Sequence, residues 1–353
     1  MKRKALITGI AGQDGSYLTE YLLGKGYEVF GILRRNSIPE NQNSRLLNLG
    51  TRNFYGDMLD VPSLTRIVSA VMPDEIYNLA AMSHVRISFD MPSYTIQTNA
   101  LGVLNLLEVY RTVCPNARFY QASSSEMFGN AVDEDGFQRE TTPMLPVSPY
   151  GCAKLMAFSL VRHYRHAYKL FACNGILFNH ESPRRGSNFV TNKVVKQAVE
   201  IKLGLRNRLE LGNMDSHRDW GHSRDYVRAM HMILSHHVPD DFVIATGETH
   251  SVRELCAYVF QRLGMDYQDY VVQNQAYMRP EELKYLQGDA SRARKKLGWT
   301  PHYTFESMLD EMIDFWLDRT QAPRPLREES GNGHSTRVEA ACPVKSRGQK
   351  GGR

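Results

Sequence analysis

The sequence predicts an α/β fold, a doubly wound parallel sheet followed by a smaller, mostly helical region. Three observations predict it. Short apolar runs alternate with stretches of helical spacing up to about residue 180. Three glycines, Gly9, Gly12 and Gly15, fall between the first apolar run and the first helical stretch. Beyond residue 180 the rhythm loosens and the elements shorten. Alternating strand and helix implies parallel strands joined by right-handed crossovers, with a ligand at the strands' carboxyl ends.

In order, KALIT (4–8) reads as a strand and SYLTEYLLGKGY (16–27) as a helix that stops near glycine. EVFGIL (28–33) and NFYGD (53–57) read as strands, PSLTRIVSAV (62–71) as a helix, and DEIYNLA (74–80) as a fourth strand. SYTIQTNALGVLNLLEVYRTV (93–113) has helical spacing throughout. ARFYQAS (117–123) is a fifth strand, SPYGCAKLMAFSLVRHYRHAY (148–168) a helix and FACNGIL (171–177) a sixth strand. Residues 1–180 thus read as a dinucleotide-binding domain of Rossmann type. Residues 181–321 read as a region closing over the sheet's carboxyl edge, with DFVIATG (241–247) crossing back as a further strand. Residues 322–353 are rich in Pro, Gly, Ser and charge and poor in apolar residues, so a disordered tail is expected there.

Composition narrows the function classes. With 42% hydrophobic and 23% charged residues, the chain reads as an ordinary globular enzyme. The net charge of +5 is spread among acids, without the basic stripe of a nucleic-acid binder; an anionic small molecule fits better. Five cysteines lie far apart with no CxxC pair, so neither a disulfide framework nor a metal site is expected. No run of 18 apolar residues occurs, and the chain enters its first strand at once; no membrane segment and a cytoplasmic location are expected.

The segment TGIAGQDG, carrying Gly9, Gly12, Gln13, Asp14 and Gly15, joins strand to helix. Glycines there let backbone approach a pyrophosphate, and the helix N-terminus offers N–H groups and a positive dipole. The second strand ends in GILRRNS. Where an NAD site commonly has an acidic residue, this chain has Arg34, Arg35, Asn36 and Ser37, which suits a 2′-phosphate and points to NADP. GDML (Asp57, Met58) fits adenine recognition. NLAAMSH puts the small Ala80 and Ala81 where backbone must pass a cofactor.

SPYGCAK places Tyr150 and Lys154 one helical turn apart, with Ser148 as cap and Pro149 in the first turn. A nearby ammonium favours phenolate, which can take a hydroxyl proton while a hydride leaves the same carbon. YQASSSEMFG, at the end of strand five, faces the same place. Ser124 can bond the reacting hydroxyl, and Glu126 adds a carboxylate that a simple oxidation does not need but a water elimination does.

TGIAGQDGSYL, GILRRNS, YQASSSEMFG, SPYGCAK, NGILFNHESPRRG, LGNMDSHRDWGHSRDYV and RPEELKYLQGDASRARKKLGW together resemble the GDP-mannose 4,6-dehydratases of the extended short-chain dehydrogenase/reductase superfamily, over about residues 3–318. The resemblance implies NADP-dependent conversion of GDP-mannose to GDP-4-keto-6-deoxymannose: C4 oxidation, loss of water across C5 and C6, and hydride return to C6. It implies Ser124, Glu126, Tyr150 and Lys154 as the catalytic set. Asp14, Asp57, Met58, Leu79, Ser83, Tyr94, His180 and Arg185 fall at its cofactor positions. Asn179, Lys193, Arg218, Arg279 and Glu282 fall at its GDP-sugar positions. A homo-oligomer, dimer or tetramer, is also implied, with the RRNS loop reaching a neighbour's cofactor site. Three alternatives stand beside this one. A GDP-4-keto-sugar reductase needs no Glu126. A GDP-manno-heptose dehydratase needs only a roomier pocket. An inactive NADP sensor would not need the intact set of four.

Overall fold

The computed structural model describes residues 2–35, 50–278 and 280–321. The first half runs β1 (Lys4–Thr8), α1 (Gln13–Gly24), β2 (Glu28–Leu33), β3 (Arg52–Tyr55), α2 (Val61–Val71), β4 (Glu75–Asn78), α3 (Val85–Asp90), α4 (Pro92–Ile96), α5 (Gly102–Val113), β5 (Arg118–Ser124), α6 (Pro149–Tyr168) and β6 (Ala172–Leu177). The second half runs β7 (Asn179–Glu181), α7 (Val190–Lys202), β8 (Leu209–Leu211), β9 (His217–Arg218), β10 (Trp220–His222), α8 (Ser223–Ser235), β11 (Asp241–Ile244), β12 (His250–Ser251), α9 (Val252–Arg262), β13 (Val271–Gln273), α10 (Ser291–Leu297) and α11 (Phe305–Gln321).

Among the described residues the main sheet has seven strands in the order β3-β2-β1-β4-β5-β6-β11, every pairing parallel. This is the doubly wound class expected from the alternation. The strand order reverses between β1 and β4, so the loops after them diverge and leave a crevice at their carboxyl ends. Leu64, Ile67, Leu106, Leu107 and Val161, from α2, α5 and α6, cover one face. Leu18 and Leu22 of α1 and Met230 and Ile233 of α8 cover the other. A separate core of Val195, Val199, Leu255, Val259, Met308 and Met312 joins α7, α9 and α11.

Differences from the sequence expectation are local. The first helix starts at Gln13, three residues earlier than its apolar spacing suggests, because glycines and polar residues carry no periodic signal. The single helix expected over 93–113 is interrupted by a π-turn at Gln97–Leu101. Helices α3 and α10 and the two-stranded pairs β7/β10, β8/β13 and β9/β12 were not legible. Elements of two to seven residues span less than two full helical repeats or strand alternations. The segment 322–353, expected to be a disordered tail, lies outside the described residues.

One buried ion pair ties the last strand to the sheet. The Arg165 guanidinium donates to both Asp241 oxygens, Nη1 to Oδ1 at 2.9 Å and Nη2 to Oδ2 at 2.6 Å, and Asn174 Nδ2 donates to Oδ1 at 2.9 Å. Both charged side chains are 9% exposed. Replacing Asp241 by alanine strands a buried guanidinium and is expected to destabilise the fold by about 3–5 kcal/mol. A melting temperature unchanged in Asp241→Ala would refute that anchoring role.

Candidate active site

The crevice begins at the glycine turn. Gly9 has φ of 68°, and a Cβ on it would lie 2.9 Å from the Ala80 backbone nitrogen. A Cβ on Gly15 would lie 2.4 Å from the Gly9 carbonyl oxygen, and one on Gly12 3.1 Å from it. The chain can therefore turn directly from β1 into α1, with Gly12 N donating to Gly9 O at 2.9 Å. The start of α1 faces the crevice with the N–H groups that a helix leaves unbonded.

Asp14, in the first turn of α1, meets His180 of β7, Oδ2 to Nε2 at 2.8 Å. Burial by itself would raise the Asp14 pKa, but the His180 charge and hydrogen bond, with Arg185, hold it below the usual range. Burial opposes the His180 charge, yet Asp14 raises its pKa on balance. Gln13 braces the same joint: its amide donates to His180 O at 3.1 Å and accepts from Ser182 Oγ at 2.8 Å. Sequence reasoning missed a second brace. Thr8 Oγ1 donates to Asn78 Oδ1 at 2.6 Å and accepts from Leu79 N and Ala80 N, while Asn78 Nδ2 donates to Gln121 Oε1 at 2.7 Å. Its only sequence signal is a polar residue near the end of three adjacent apolar strands.

At the far end of the crevice, Arg34 and Arg35 follow β2 and are exposed. Arg34 hydrogen-bonds the Tyr94 hydroxyl. Asp57 Oδ1 accepts from Leu59 N at 2.9 Å. Met58 packs its side chain into the core beside α2 and α5 and is 5% exposed. It does so because Gly102 leaves room: a Cβ there would sit 2.7 Å from the Met58 Cβ. Ser37 and Arg279 lie outside the described residues.

The reacting centre is built where β5 meets α6. Ser148 Oγ accepts from Gly151 N at 3.0 Å, and Pro149 opens the helix, as the sequence predicts. Ser124 ends β5 and accepts from Glu126 N at 3.2 Å, curling the chain into a 3₁₀ turn at Ser125–Met127. That turn sets the Ser124 hydroxyl and the Glu126 carboxylate in the same cavity as the Tyr150 phenol, near enough for both to act on its pKa. Gly151 permits the contact, since a Cβ on it would lie 2.7 Å from the Glu126 carbonyl. Lys154 follows one turn later, with Nζ donating to Ala122 O at 2.8 Å and lying 5.6 Å from the Tyr150 ring centre.

One expectation needs correcting. The sequence suggests that the Lys154 ammonium lowers the phenol pKa. In the structure burial dominates and pushes Tyr150 up to about 12, against the Ser124 hydrogen bond. Burial also brings Lys154 down to about 8. Desolvation penalises both charged forms more than the local pairing offsets.

A cavity of about 600 Å³ joins these parts. Asp14, Leu79, Ala81, Ser83, His180 and Arg185 line it, with the Ser124, Glu126, Tyr150 and Lys154 set and with Asn179, Lys193, Arg218 and Glu282. Ala80, with Gly9, Gly12, Gly15, Arg34, Arg35, Asp57 and Tyr94, is outside this lining. Lys193 Nζ donates to Glu210 O at 2.6 Å and sits 3.8 Å over the Tyr277 ring. Arg218 Nη2 is 3.2 Å from Glu282 Oε1, so two residues expected at GDP-sugar positions are paired with each other. Ser216 and Trp220, within the segment LGNMDSHRDWGHSRDYV but not singled out there, also line the cavity, as does Tyr277, which none of the family-like motifs contains. Among the described residues no cluster of three His, Cys, Asp or Glu is placed to hold a metal, and no helix is long and apolar enough to cross a membrane.

Comparison with known proteins gives consistent results. The family described as GDP-mannose 4,6 dehydratase matches residues 6–312. GDP-mannose 4,6 dehydratase 2 of Arabidopsis thaliana is 49% identical over 341 residues, covering 92% of this chain and 90% of the relative. Among solved structures, RMD of Pseudomonas aeruginosa complexed with NADPH superposes with a TM-score of 0.75 at 25% identity, covering 90% of this chain and 100% of that one. The UDP-glucose 4-epimerase of Thermus thermophilus in complex with NAD gives 0.78 at 25% identity, covering 89% and 98%. With a family match over most of its length and a relative at nearly half identity, the chain belongs to the GDP-mannose 4,6-dehydratase family.

Proposed function

We propose that this protein is an NADP-dependent GDP-mannose 4,6-dehydratase that removes water from GDP-mannose to give GDP-4-keto-6-deoxymannose. The observation that carries this reading is the meeting of Ser124, Glu126 and Tyr150 in one cavity that Lys193 and Arg218 also line. A phenol alone suits an alcohol–ketone step; the carboxylate beside it suits an elimination. The relatives' names agree with that combination.

A nicotinamide cofactor fits the glycine cradle at the start of α1, and its chemistry is to accept hydride from C4 and return it at C6. The chain's residues handle protons and position. Tyr150 takes the C4 hydroxyl proton while Ser124 holds that oxygen. The resulting ketone acidifies C5, and Glu126 removes the C5 proton. The same carboxyl then gives that proton to the C6 hydroxyl, which leaves as water. The proton held on Tyr150 balances at C5 when hydride returns to C6. Lys193 and Arg218 hold the diphosphate, since a guanidinium pairs with phosphate in a planar fork. Arg34 and Arg35, exposed beyond β2, support NADP over NAD.

Incubation with GDP-mannose and NADP+ is expected to give a product lighter by one water, without net cofactor reduction. Glu126→Gln should lose at least ~100-fold in product formation with NADP+ affinity unchanged. Normal turnover in that variant would remove the carboxylate from the mechanism. Lys154→Met is expected to move the ascending limb of the kcat/KM pH profile up by about one unit or more, because the phenolate, already penalised by burial, loses the ammonium that offsets part of that penalty. An unmoved limb would leave Lys154 without that role. Arg35→Ala should weaken NADP+ by about tenfold or more while NAD+ changes little; equal weakening of both would count against 2′-phosphate recognition.

A further inference from the structure

We propose that Asp219 is the positioning residue for Arg218. Its carboxylate pins the two segments that flank the strand bearing the guanidinium, and so sets how Arg218 meets the diphosphate of a nucleotide sugar. The proposal rests on the function argued above, and the experiment below separates the two.

Arg218 sits on β9, a strand of only two residues. On one side β9 pairs with β12, His250 opposite Arg218. On the other side runs the segment 283–288. His217 N donates to Lys284 O at 2.9 Å, Leu286 N donates to His217 O at 3.1 Å, and Arg218 Nη1 donates to Leu283 O at 3.0 Å. So short a strand makes few ladder bonds of its own, and its alignment needs help from the next residue.

That residue is Asp219, 0% exposed. Alternation along an extended chain turns Arg218 and Trp220 to the cavity and Asp219 away from it. Its carboxylate accepts four hydrogen bonds. Oδ1 takes Thr246 N at 2.9 Å and Thr246 Oγ1 at 2.7 Å; Oδ2 takes Gly247 N at 2.9 Å and Gly288 N at 3.2 Å. Thr246 and Gly247 form the turn from β11 into β12, one flank of β9. Gly288 ends the segment 283–288, the other flank. Its approach requires a glycine, because a Cβ there would lie 2.3 Å from the Ala245 Cβ. Burial pushes the Asp219 pKa up to about 6 despite these donors. Asp219 is not among the residues lining the cavity, so its effect on a ligand passes through Arg218.

The test is a double-mutant cycle read by calorimetric binding of GDP-mannose and of NADP+ to the full-length protein, using wild type, Asp219→Asn, Arg218→Met and the double variant. Asp219→Asn is expected to weaken GDP-mannose by about tenfold or more while leaving NADP+ affinity unchanged. In the Arg218→Met background the same change should add almost nothing. Two results overturn the proposal: full additivity in the double variant, or wild-type affinity for GDP-mannose in Asp219→Asn. Should Asp219→Asn fail to fold, Thr246→Val removes one donor while keeping the side chain's shape. It should weaken GDP-mannose by about threefold or more, again only when Arg218 is present; additivity there overturns the proposal equally. A wild-type protein that binds no GDP-mannose overturns the function argued above, and this inference with it. A wild-type protein that binds, with an additive cycle, overturns this inference alone.

Discussion

The proposed chemistry of this protein depends on one close approach: the first turn of α6 against the 3₁₀ turn that follows β5. Gly151 allows it, because any side chain there would collide with the Glu126 carbonyl. Ser148 caps the helix and fixes where it begins. Ser124 caps the opposing turn. Two caps and one missing Cβ bring the Tyr150 phenol to a hydroxyl and a carboxylate that lie 26 and 24 positions before it in the chain.

Bringing these groups together inside the protein has an electrostatic cost. Burial raises the Tyr150 phenol and lowers the Lys154 ammonium, so both are held in their less charged forms relative to water. The neighbouring scaffold compensates with polar bracing at the strand ends, where Thr8, Asn78 and Gln121 bond one another across three strands. Asp14 and His180 do the same between α1 and β7.

Two parts of the cavity lining have different origins. One part of the lining comes from segments after β1, β4 and β6, on which the sheet imposes rigid spacing. The other part comes from short strands and α7, held by the separate core of α7, α9 and α11. Short strands rely on side-chain knots for alignment, and the Asp219 carboxylate is such a knot. The second half of the chain also supplies β11 and α8 to the main sheet, so the two parts cannot shift without disturbing shared hydrogen bonds.

Much of this was legible without coordinates. Apolar alternation set the sheet strands and their crossovers, because side-chain periodicity follows directly from strand and helix geometry. The Tyr150–Lys154 spacing, the Ser148 cap and the glycine turn were equally local, and they appear where the residues put them. What depends on contacts between distant residues was not legible. The inward turn of Met58 depends on Gly102, the pairing of Arg218 with Glu282 joins residues 64 apart, and the Asp219 knot draws on three segments. The sign of the Tyr150 shift was likewise decided only by burial. Local covalent geometry is written into neighbouring residues, whereas desolvation and long-range hydrogen bonding exist only once the chain has folded around them.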